Sequence, residues 1–244
     1  MQRCKHPTIR GSRDPKIQRP NGPKGDNMTK EEKAARAELK LKAERERLYS
    51  MSEYERKYAD KEYICGIDEV GRGPFAGPVM AGAVILPKDC EILYLNDSKK
   101  LSKKKREALY TEICEKAVCY ATAEVGPERI DEINILQATL EAMREAINKL
   151  TVRPDIILVD AVHIPGIDIP QESIIKGDAK SVSIAAASVI AKVTRDRIME
   201  GYAGEYPGYG FERNMGYGTA EHRAALKELG VTPIHRRSFI HDHV

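Results

Sequence analysis

The chain has 244 residues, of which 41% are hydrophobic and 32% are charged, so it is long enough for one large domain with an appendage. The net charge is +3, but residues 1–30 hold eight Lys or Arg and two acids, which gives +6 there and 3 − 6 = −3 for the rest; this argues against a body that binds DNA by bulk charge alone. The five cysteines form no CxxC pair, which argues against a disulfide framework or a zinc site, and the lack of a long apolar run or hydrophobic signal core predicts a cytoplasmic protein with no membrane attachment.

The first 27 residues contain four prolines and three glycines and show no apolar periodicity. This composition is typical of disorder, so we predict a disordered basic arm over residues 1–27. Two interpretations of the arm stay open. It is either an upstream extension before a start at Met28, or an arm that adds nonspecific affinity for nucleic acid.

Residues 28–61 are predicted to form an N-terminal helical extension. From Thr29 to about Lys61 the chain has no Gly or Pro and is rich in Ala, Glu, Lys and Arg. Acid–base pairs four residues apart, such as Glu32 and Arg36, support a helix. The apolar seam of this segment is thin, so we expect a solvated helix docked along one side, with a coiled-coil dimer as the alternative.

Residues 62–244 alternate between strand-like and helix-like segments. The strand-like segments are YICGID, PVMAGAVIL, VCYATAEV and DIILVD, and the helix-like ones are SKKKREALYTEICEKA after an N-cap at Ser102, Glu132–Leu150, Lys180–Met199 and Thr219–Leu229. DIILVD is apolar up to its last acid, which favours a strand buried on both faces. The third helix is apolar nearly all round and should lie against the sheet. The predicted fold class is therefore α/β, with a mixed central sheet flanked by helices.

Four acids stand at the ends of these elements. Asp68 and Glu69 end the first strand, Asp160 ends DIILVD, and Asp178 precedes the buried helix. Functional groups gather at the carboxyl ends of strands in an open α/β sheet. Acids gathered there repel one another unless Mg²⁺ or Mn²⁺ binds them, and two such ions suit the hydrolysis of a phosphodiester. The alternative is that each acid merely caps a helix or ends a strand.

The turn that follows the first two acids reads GRGP. Gly71 and Gly73 flank Arg72, and glycine lets backbone amides approach a ligand with no Cβ in the way. Amides beside one arginine suit a phosphate and a ribose hydroxyl. Because glycine turns are common, the turn gains its weight from the acids next to it.

Five motifs occur in the order GIDEVGRGPFAGPV, NDSKKLS, LVDA, KGDAKSVSIAAASVIAKVTRDR and NMGYGT. With them the chain closely resembles bacterial ribonuclease HII, from about Tyr63 to Phe239. The resemblance implies a ribonuclease H-like fold and a Mg²⁺- or Mn²⁺-dependent endonuclease. Such an enzyme hydrolyses the RNA strand of RNA/DNA hybrids and incises duplex DNA 5′ to an embedded ribonucleotide. We expect two ions during catalysis, 3′-hydroxyl and 5′-phosphate ends, and a monomeric protein.

The resemblance also assigns roles to individual residues. The catalytic and metal-binding acids are Asp68, Glu69, Asp160 and Asp178; the substrate-binding residues are Gly71, Arg72 and Gly73 at the ribose 2′-hydroxyl, Tyr217 at the following sugar and Lys99 near phosphate. We add Lys180 and Lys192 as residues that line a substrate groove, although Lys192 could equally extend from the buried helix to solvent. Met215 stands where the family commonly has a lysine, and Ala161 stands where glycine is usual.

Several residues also have a plainer interpretation. Tyr217, taken without the family, is a loop aromatic that packs on the body. The run Arg195–Arg197 is predicted to be a structural salt-bridge cluster. His241 and His243 are predicted to be a flexible chain end, and His222 and His235 are predicted to be structural.

Two other functions were weighed against the endonuclease. The first is a non-catalytic protein that binds RNA/DNA hybrids through the basic arm and the glycine turn and leaves the acids empty. The second is a Mg²⁺-dependent phosphatase that acts on small substrates.

Overall fold

The computed structural model describes residues 29–240, so the basic arm predicted over 1–27 and the two tail histidines lie outside the described residues. The described residues fall into two units, 29–40 and 41–240. In the first unit, residues 29–40 are all exposed. Thr29 and Glu32 exchange hydrogen bonds there: the Thr29 N–H donates to Glu32 Oε2 (2.8 Å) and the Glu32 N–H donates to Thr29 Oγ1 (3.2 Å). This reciprocal pair is a capping box, which starts the first helix.

The described residues form eight helices, two short 3₁₀ turns and five strands. In chain order the helices are α1 (Lys30–Met51), α2 (Glu53–Lys57), α3 (Lys103–Lys116), α4 (Pro127–Asn148), α5 (Val182–Glu205), α6 (Phe211–Asn214), α7 (Ala220–Leu229) and α8 (Arg237–Ile240), the 3₁₀ turns are Ser98–Lys100 and Gly177–Ala179, and the strands are β1 (Ile64–Val70), β2 (Val79–Ile85), β3 (Cys119–Val125), β4 (Ile156–Asp160) and β5 (Gln171–Ile174).

The helical segment expected up to about residue 61 is two helices, α1 and α2, which meet at Ser52. The Ser52 hydroxyl donates to the Leu48 carbonyl (2.8 Å), which is a local bond that competes with the helix ladder. In the second unit, Leu48 and Met51 are buried in the cluster that also contains Leu86 and Ile92. The C-terminal end of α1 is therefore anchored by packing against residues that follow β2 in the chain.

The sheet has the strand order β3-β2-β1-β4-β5. The first strand pairs antiparallel with β2 and parallel with β4, with Ile67 opposite Val159 in the parallel pair. The predicted mixed sheet is therefore present, with β1 at its centre. Strand β5 was missed, because Gln171–Ile174 reads QESI and has no apolar run to mark it.

Helix α5 packs closely on one face of the sheet, and α4 covers the other. Two strand glycines make the close approach possible. A Cβ on Gly66 would lie 2.0 Å from the Ser183 carbonyl carbon, and one on Gly82 would lie 2.6 Å from the Ala187 carbonyl oxygen. The small side chains of α5 and the bare backbone of β1 and β2 thus fit against each other.

Two helices differ in extent from the prediction. Helix α5 starts after the N-cap Ser181, whose Oγ accepts from the Ile184 N–H (3.1 Å). It runs six residues past Met199 and ends at Glu205. The next residue precedes Pro207, and a residue before proline is disfavoured in the helical conformation. Helix α4 begins at Pro127 and is kinked at Asn134, whose backbone φ is 68°. The Asn134 Oδ1 accepts from the N–H groups of Leu136 (3.0 Å) and Gln137 (3.2 Å), and in this way it caps the part of the helix that follows the kink.

Within residues 29–240 no helix has both the length and the apolar character that crossing a bilayer requires.

Candidate active site

The two strands that carry predicted catalytic acids, β1 and β4, end side by side. Because β1 and β4 are parallel and Ile67 pairs with Val159, the next residues, Asp68 and Asp160, are neighbours at the carboxyl ends. Glu69 follows in β1, which continues to Val70. The carboxylates expected to meet at this edge of the sheet therefore lie on adjacent strands.

Asp160 also positions the fourth acid. Its Oδ1 accepts from the Gly177 N–H (2.8 Å), at the start of the 3₁₀ turn that carries Asp178. A Cβ on Gly177 would stand 2.6 Å from Ile184 Cδ1 and 3.5 Å from Asp160 Oδ1, so glycine lets the turn press against the end of β4. The hydrogen bond and the missing side chain together bring Asp178 beside the two strands.

The electrostatics show that these acids interact. Burial, with Glu69 next in importance and Asp160 also contributing, raises the pKa of Asp68 to about 7. The pKa of Glu69 is raised by burial and by Asp160, with Arg72 and Lys99 opposing the change. Burial is the first cause of the raised pKa of Asp178 too, followed by Asp97 and Asp160. Each acid thus makes its neighbour harder to ionise.

The donor set fits hard divalent cations, since every donor is a carboxylate oxygen. Within the described part of the chain, however, no three His, Cys, Asp or Glu side chains converge closely enough to form a ready-made metal cage. Carboxylates that raise one another's pKa repel each other when ionised, so we do not expect them to approach more closely until a cation neutralises their charge. The site is therefore a set of pairwise interacting carboxylates at one edge of the sheet.

Asp97 is a fifth acid at this edge, and the sequence analysis did not select it. The residue is 8% exposed, its Oδ1 accepts from the Lys99 N–H (2.9 Å), and its charge helps to raise the pKa of Asp178. The signal was present in the motif NDSKKLS, where an acid directly before a short turn is a typical N-cap. Capping explains its position and does not exclude an effect on the site.

Lys99 faces the acids. Burial alone lowers its pKa, but Asp68, Asp97 and Asp178 together raise the pKa above its ordinary value, and Glu69 adds to this. An exposed ammonium that is held by several carboxylates stays charged, and it also reduces the repulsion between them. The structure thus brings the predicted phosphate-binding lysine to the edge of the sheet that carries the acids.

The glycine turn leads out of β1. Gly71 has a φ of 87°, and a Cβ there would meet Arg195 Nε at 2.2 Å and the Pro78 carbonyl oxygen at 2.8 Å. Gly71 is thus required both by its left-handed backbone and by close packing. Arg72 is exposed, and its Nη1 lies 3.7 Å from Glu69 Oε1. Both the turn and its arginine adjoin the acids.

Tyr217 comes from a distant loop and lies against the glycine turn. A Cβ on Gly73 would be 3.7 Å from Tyr217 Cε1. The Tyr217 loop is fixed by the Phe75 N–H, which donates to the Gly216 carbonyl (2.8 Å), and by His222, whose Nδ1 lies 3.0 Å from the Tyr217 carbonyl. The exposed ring, at 45% of its full area, faces solvent at the mouth of the site.

Comparison with known proteins gives the family. A family model described as ribonuclease HII matches residues 65–242. The chain belongs to the ribonuclease HII family. It is 67% identical over 201 residues to a ribonuclease HII of Lachnoclostridium phytofermentans, covering 82% of this chain and 79% of that protein.

Solved structures agree on the fold. The ribonuclease H2 of Pyrococcus horikoshii is 31% identical and has a TM-score of 0.64, with 72% of this chain and 93% of that chain covered. Bst-RNase HIII, solved in complex with Mn²⁺, is 17% identical with a TM-score of 0.50 over 69% of this chain and 63% of its own, and shows the fold alone. The ribonuclease H-like fold and the prediction of an endonuclease are confirmed.

Two positions depart from the ribonuclease HII pattern. Ala161, where glycine is usual, has a φ of 57°, so an alanine sits in a conformation that favours glycine. Met215, in place of the common lysine, also has a left-handed φ of 51° and packs against the cluster that contains Met199 and Phe211. Its side chain adds to this packing and offers no positive charge to a phosphate.

Lys180 and Lys192, the other lysines predicted to line the substrate groove, have surroundings different from those of Lys99. Lys180 is exposed just after the turn that carries Asp178. Lys192 Nζ donates to Asp196 Oδ1 (2.6 Å) and is largely buried, so this lysine is held in an internal ion pair. Its role in the groove stays a prediction.

The predicted salt-bridge cluster at 195–197 is correct only in part. Asp196 pairs with Lys192, and Arg197 pairs with Glu107 (2.6 Å). Arg195 was assigned wrongly, because its guanidinium donates to backbone carbonyls rather than to an acid. A sequence cannot reveal this, because the carbonyls belong to loops more than a hundred residues away for two of the three bonds.

Proposed function

We propose that this ribonuclease HII hydrolyses the RNA strand of RNA/DNA hybrids and incises duplex DNA on the 5′ side of an embedded ribonucleotide. The products carry 3′-hydroxyl and 5′-phosphate ends. The observation that carries the proposal is the placement of Asp68 and Asp160 on adjacent strands at one edge of the sheet, where β1 leads into a glycine turn that lies against Tyr217. Acids that suit cations and a turn that suits a sugar are thus parts of one site.

The acids would hold two Mg²⁺ or Mn²⁺ ions, with Asp68, Glu69, Asp160 and Asp178 as ligands. Ions of this type activate water and stabilise the charge that develops on a phosphodiester. The oxygen-only donor set supports this choice, as does the raised pKa of Asp68, which burial and Glu69 cause in the absence of a cation. The Mn²⁺ bound by the fold neighbour Bst-RNase HIII is consistent with it.

The remaining residues bind and orient the substrate. The amides of Gly71–Gly73 would contact the ribose 2′-hydroxyl, which is the group that separates RNA from DNA at one nucleotide. Tyr217 would pack on the adjoining sugar, since its exposed ring lies beside Gly73. Arg72 and Lys99 are exposed cations next to the acids and would contact phosphate.

The experiment is incubation of the protein with a labelled DNA duplex that contains one ribonucleotide, in Mg²⁺, Mn²⁺ or EDTA. The expected result is one cut 5′ to the ribonucleotide, a 3′-hydroxyl at that cut, and no cut in EDTA. A matched all-DNA duplex should stay intact. Cleavage of the all-DNA duplex, or a 3′-phosphate product, would overturn the proposal.

A further inference from the structure

Two arginines behind the glycine turn are fully buried. Arg195 lies in α5 and Arg236 lies just before α8, and both have 0% exposed area. In the part of the chain that the structure describes, neither guanidinium is within ion-pair distance of a carboxylate. A buried charge with no acid must be stabilised by oriented dipoles instead.

Arg236 supplies those bonds to the glycine turn. Its Nη2 donates to the Gly71 carbonyl (2.6 Å), its Nη1 to the Arg72 carbonyl (3.0 Å) and its Nε to the Gly77 carbonyl (2.9 Å). Three donors in a rigid fork fix three carbonyls at once. The turn is therefore held from behind by one side chain.

Arg195 joins the same turn to the Tyr217 loop. Its Nε donates to the Pro78 carbonyl (2.9 Å) and its Nη2 to the Ala76 carbonyl (3.2 Å), while its Nη1 donates to the Met215 carbonyl (3.0 Å), two residues before Tyr217. Two loops that are far apart in sequence thus share one guanidinium. Their separation is set by the length of its fork.

The direction of these carbonyls decides where the amides point. In a trans peptide the C=O and the following N–H point in opposite directions. Because the Gly71 and Arg72 carbonyls point at Arg236, the N–H groups of Arg72 and Gly73 point away from it. No acceptor for either N–H occurs among the described residues. Arg236 therefore turns two unpaired donors outward, on the opposite side of the turn.

Burial makes the charge of both guanidiniums unfavourable. Burial and the neighbouring Arg195 lower the pKa of Arg236 to about 9, and burial lowers the pKa of Arg195. With that pKa Arg236 stays protonated at neutral pH, and the Tyr217 side chain interacts with both guanidiniums.

We propose that Arg236 and Arg195 are positioning residues: Arg236 aims the amides of Arg72 and Gly73 at a ribose 2′-hydroxyl, and Arg195 holds Tyr217 at a fixed distance from them. The inference rests on the proposed function and adds to it the residues that set its selectivity. It predicts that loosening either fork weakens the reading of a single ribose more than it weakens cleavage itself. A long hybrid offers many riboses and is less demanding.

The test compares Arg236→Lys and Arg195→Lys with the wild type on two substrates, a duplex with one ribonucleotide and an RNA/DNA hybrid. Lysine keeps the charge and loses the fork. The ratio of kcat/KM on the single-ribonucleotide duplex to kcat/KM on the hybrid should fall roughly ten- to a hundred-fold, because misplacing binding groups by about 1 Å costs that much. Arg197→Lys is the matched control, since Arg197 is exposed and binds Glu107, and its ratio should not change.

An unchanged ratio overturns the inference. If kcat/KM falls equally on both substrates, the arginines only support the fold, and if it falls on neither, they do not position the turn. If the wild type cleaves neither substrate, the proposed function has failed. Faster amide hydrogen exchange over residues 71–78 in the variants would then still show that the arginines hold the turn.

A second measurement covers variants that do not fold. In wild-type protein labelled with ¹⁵N-arginine and kept in EDTA, the Nε–H signal of Arg236 should shift with the single-ribonucleotide duplex and shift less with the all-DNA duplex. Identical shifts with the two duplexes would reject a link between the guanidinium and the ribose.

Discussion

The ring of Tyr217 lies beside the backbone of Gly73, at 3.7 Å from the position that a Cβ on Gly73 would take. This distance is an ordinary van der Waals contact, and Gly73 does not have a left-handed φ. The fold alone therefore does not require glycine at this position. The proposed function accounts for a glycine there, because a ligand that contacts the backbone amides needs the space a side chain would fill.

Gly73→Ala should leave the free energy of unfolding within roughly 0.5 kcal/mol of the wild type, while the new methyl group blocks the substrate and lowers incision at a single ribonucleotide. Gly71→Ala is the contrasting variant: its φ of 87° and the 2.2 Å approach to Arg195 Nε should destabilise the protein by ~1–2 kcal/mol or more. Urea unfolding and incision assays on both variants separate the two effects. A Gly73→Ala protein that unfolds as readily as Gly71→Ala would contradict this account.

Tyr217→Ala should reduce incision at a single ribonucleotide by roughly ten- to a hundred-fold, because covering a large apolar side chain, here by the adjoining sugar, contributes ~1.5–3 kcal/mol. Tyr217→Phe keeps the ring and should retain most of the activity. Since the ring is exposed, neither change should alter the thermal midpoint by more than a few degrees. Unchanged incision by Tyr217→Ala would remove this residue from the site.

Asp68→Asn should lower the cleavage rate by at least about a thousand-fold, since the ions that Asp68 would hold contribute several kcal/mol to the reaction. Binding to an RNA/DNA hybrid, measured by fluorescence anisotropy, should remain close to that of the wild type. A non-catalytic binder would lose nothing in either assay. The variant should also unfold at a slightly higher temperature without metal, because a neutral amide replaces a buried charge beside Glu69.

The His222–His235 pair should make stability fall as the pH falls. The two Nε2 atoms lie 3.0 Å apart, and burial, together with His222, lowers the pKa of His235 from 6.5 to about 4. Between these values the unfolded chain binds the proton and the folded one does not, so stability is lost from about pH 6.5 downward and the loss is complete near pH 4. Because carboxylates also titrate there, His235→Gln must show a flatter profile of thermal midpoint against pH, whereas His163→Gln, at an exposed position, must match the wild type.

The parts of the molecule that follow from local sequence were predicted well. Apolar periodicity marked β1, β2, β3 and β4 and the long helices, and the ends of β1 and β4 gave three of the four acids. Strand β5 was missed because three of its four residues are polar, and the kink in α4 was missed because only the side chain of Asn134 creates it.

The supports of the site could not be predicted, because they depend on contacts across the fold. Arg236 reaches carbonyls more than 150 residues earlier in the chain, and nothing around it in the sequence distinguishes it from a surface arginine. Asp97 was detectable as a cap, but its closeness to Asp178 depends on the fold, which brings together the 3₁₀ turns of two different connections at the edge of the sheet.

Ala161→Gly should stabilise the protein. Ala161 follows directly after Asp160 with a φ of 57°, and a left-handed backbone costs a residue with a Cβ ~1–2 kcal/mol. Glycine removes that cost but makes the unfolded chain more flexible by ~0.4–1 kcal/mol, so the expected gain is about 0.5–1 kcal/mol in urea unfolding. Ala108→Gly, at an exposed position inside α3, is the matched control and should lose about 1 kcal/mol. A loss of stability in both variants would show that the backbone at Ala161 is not strained.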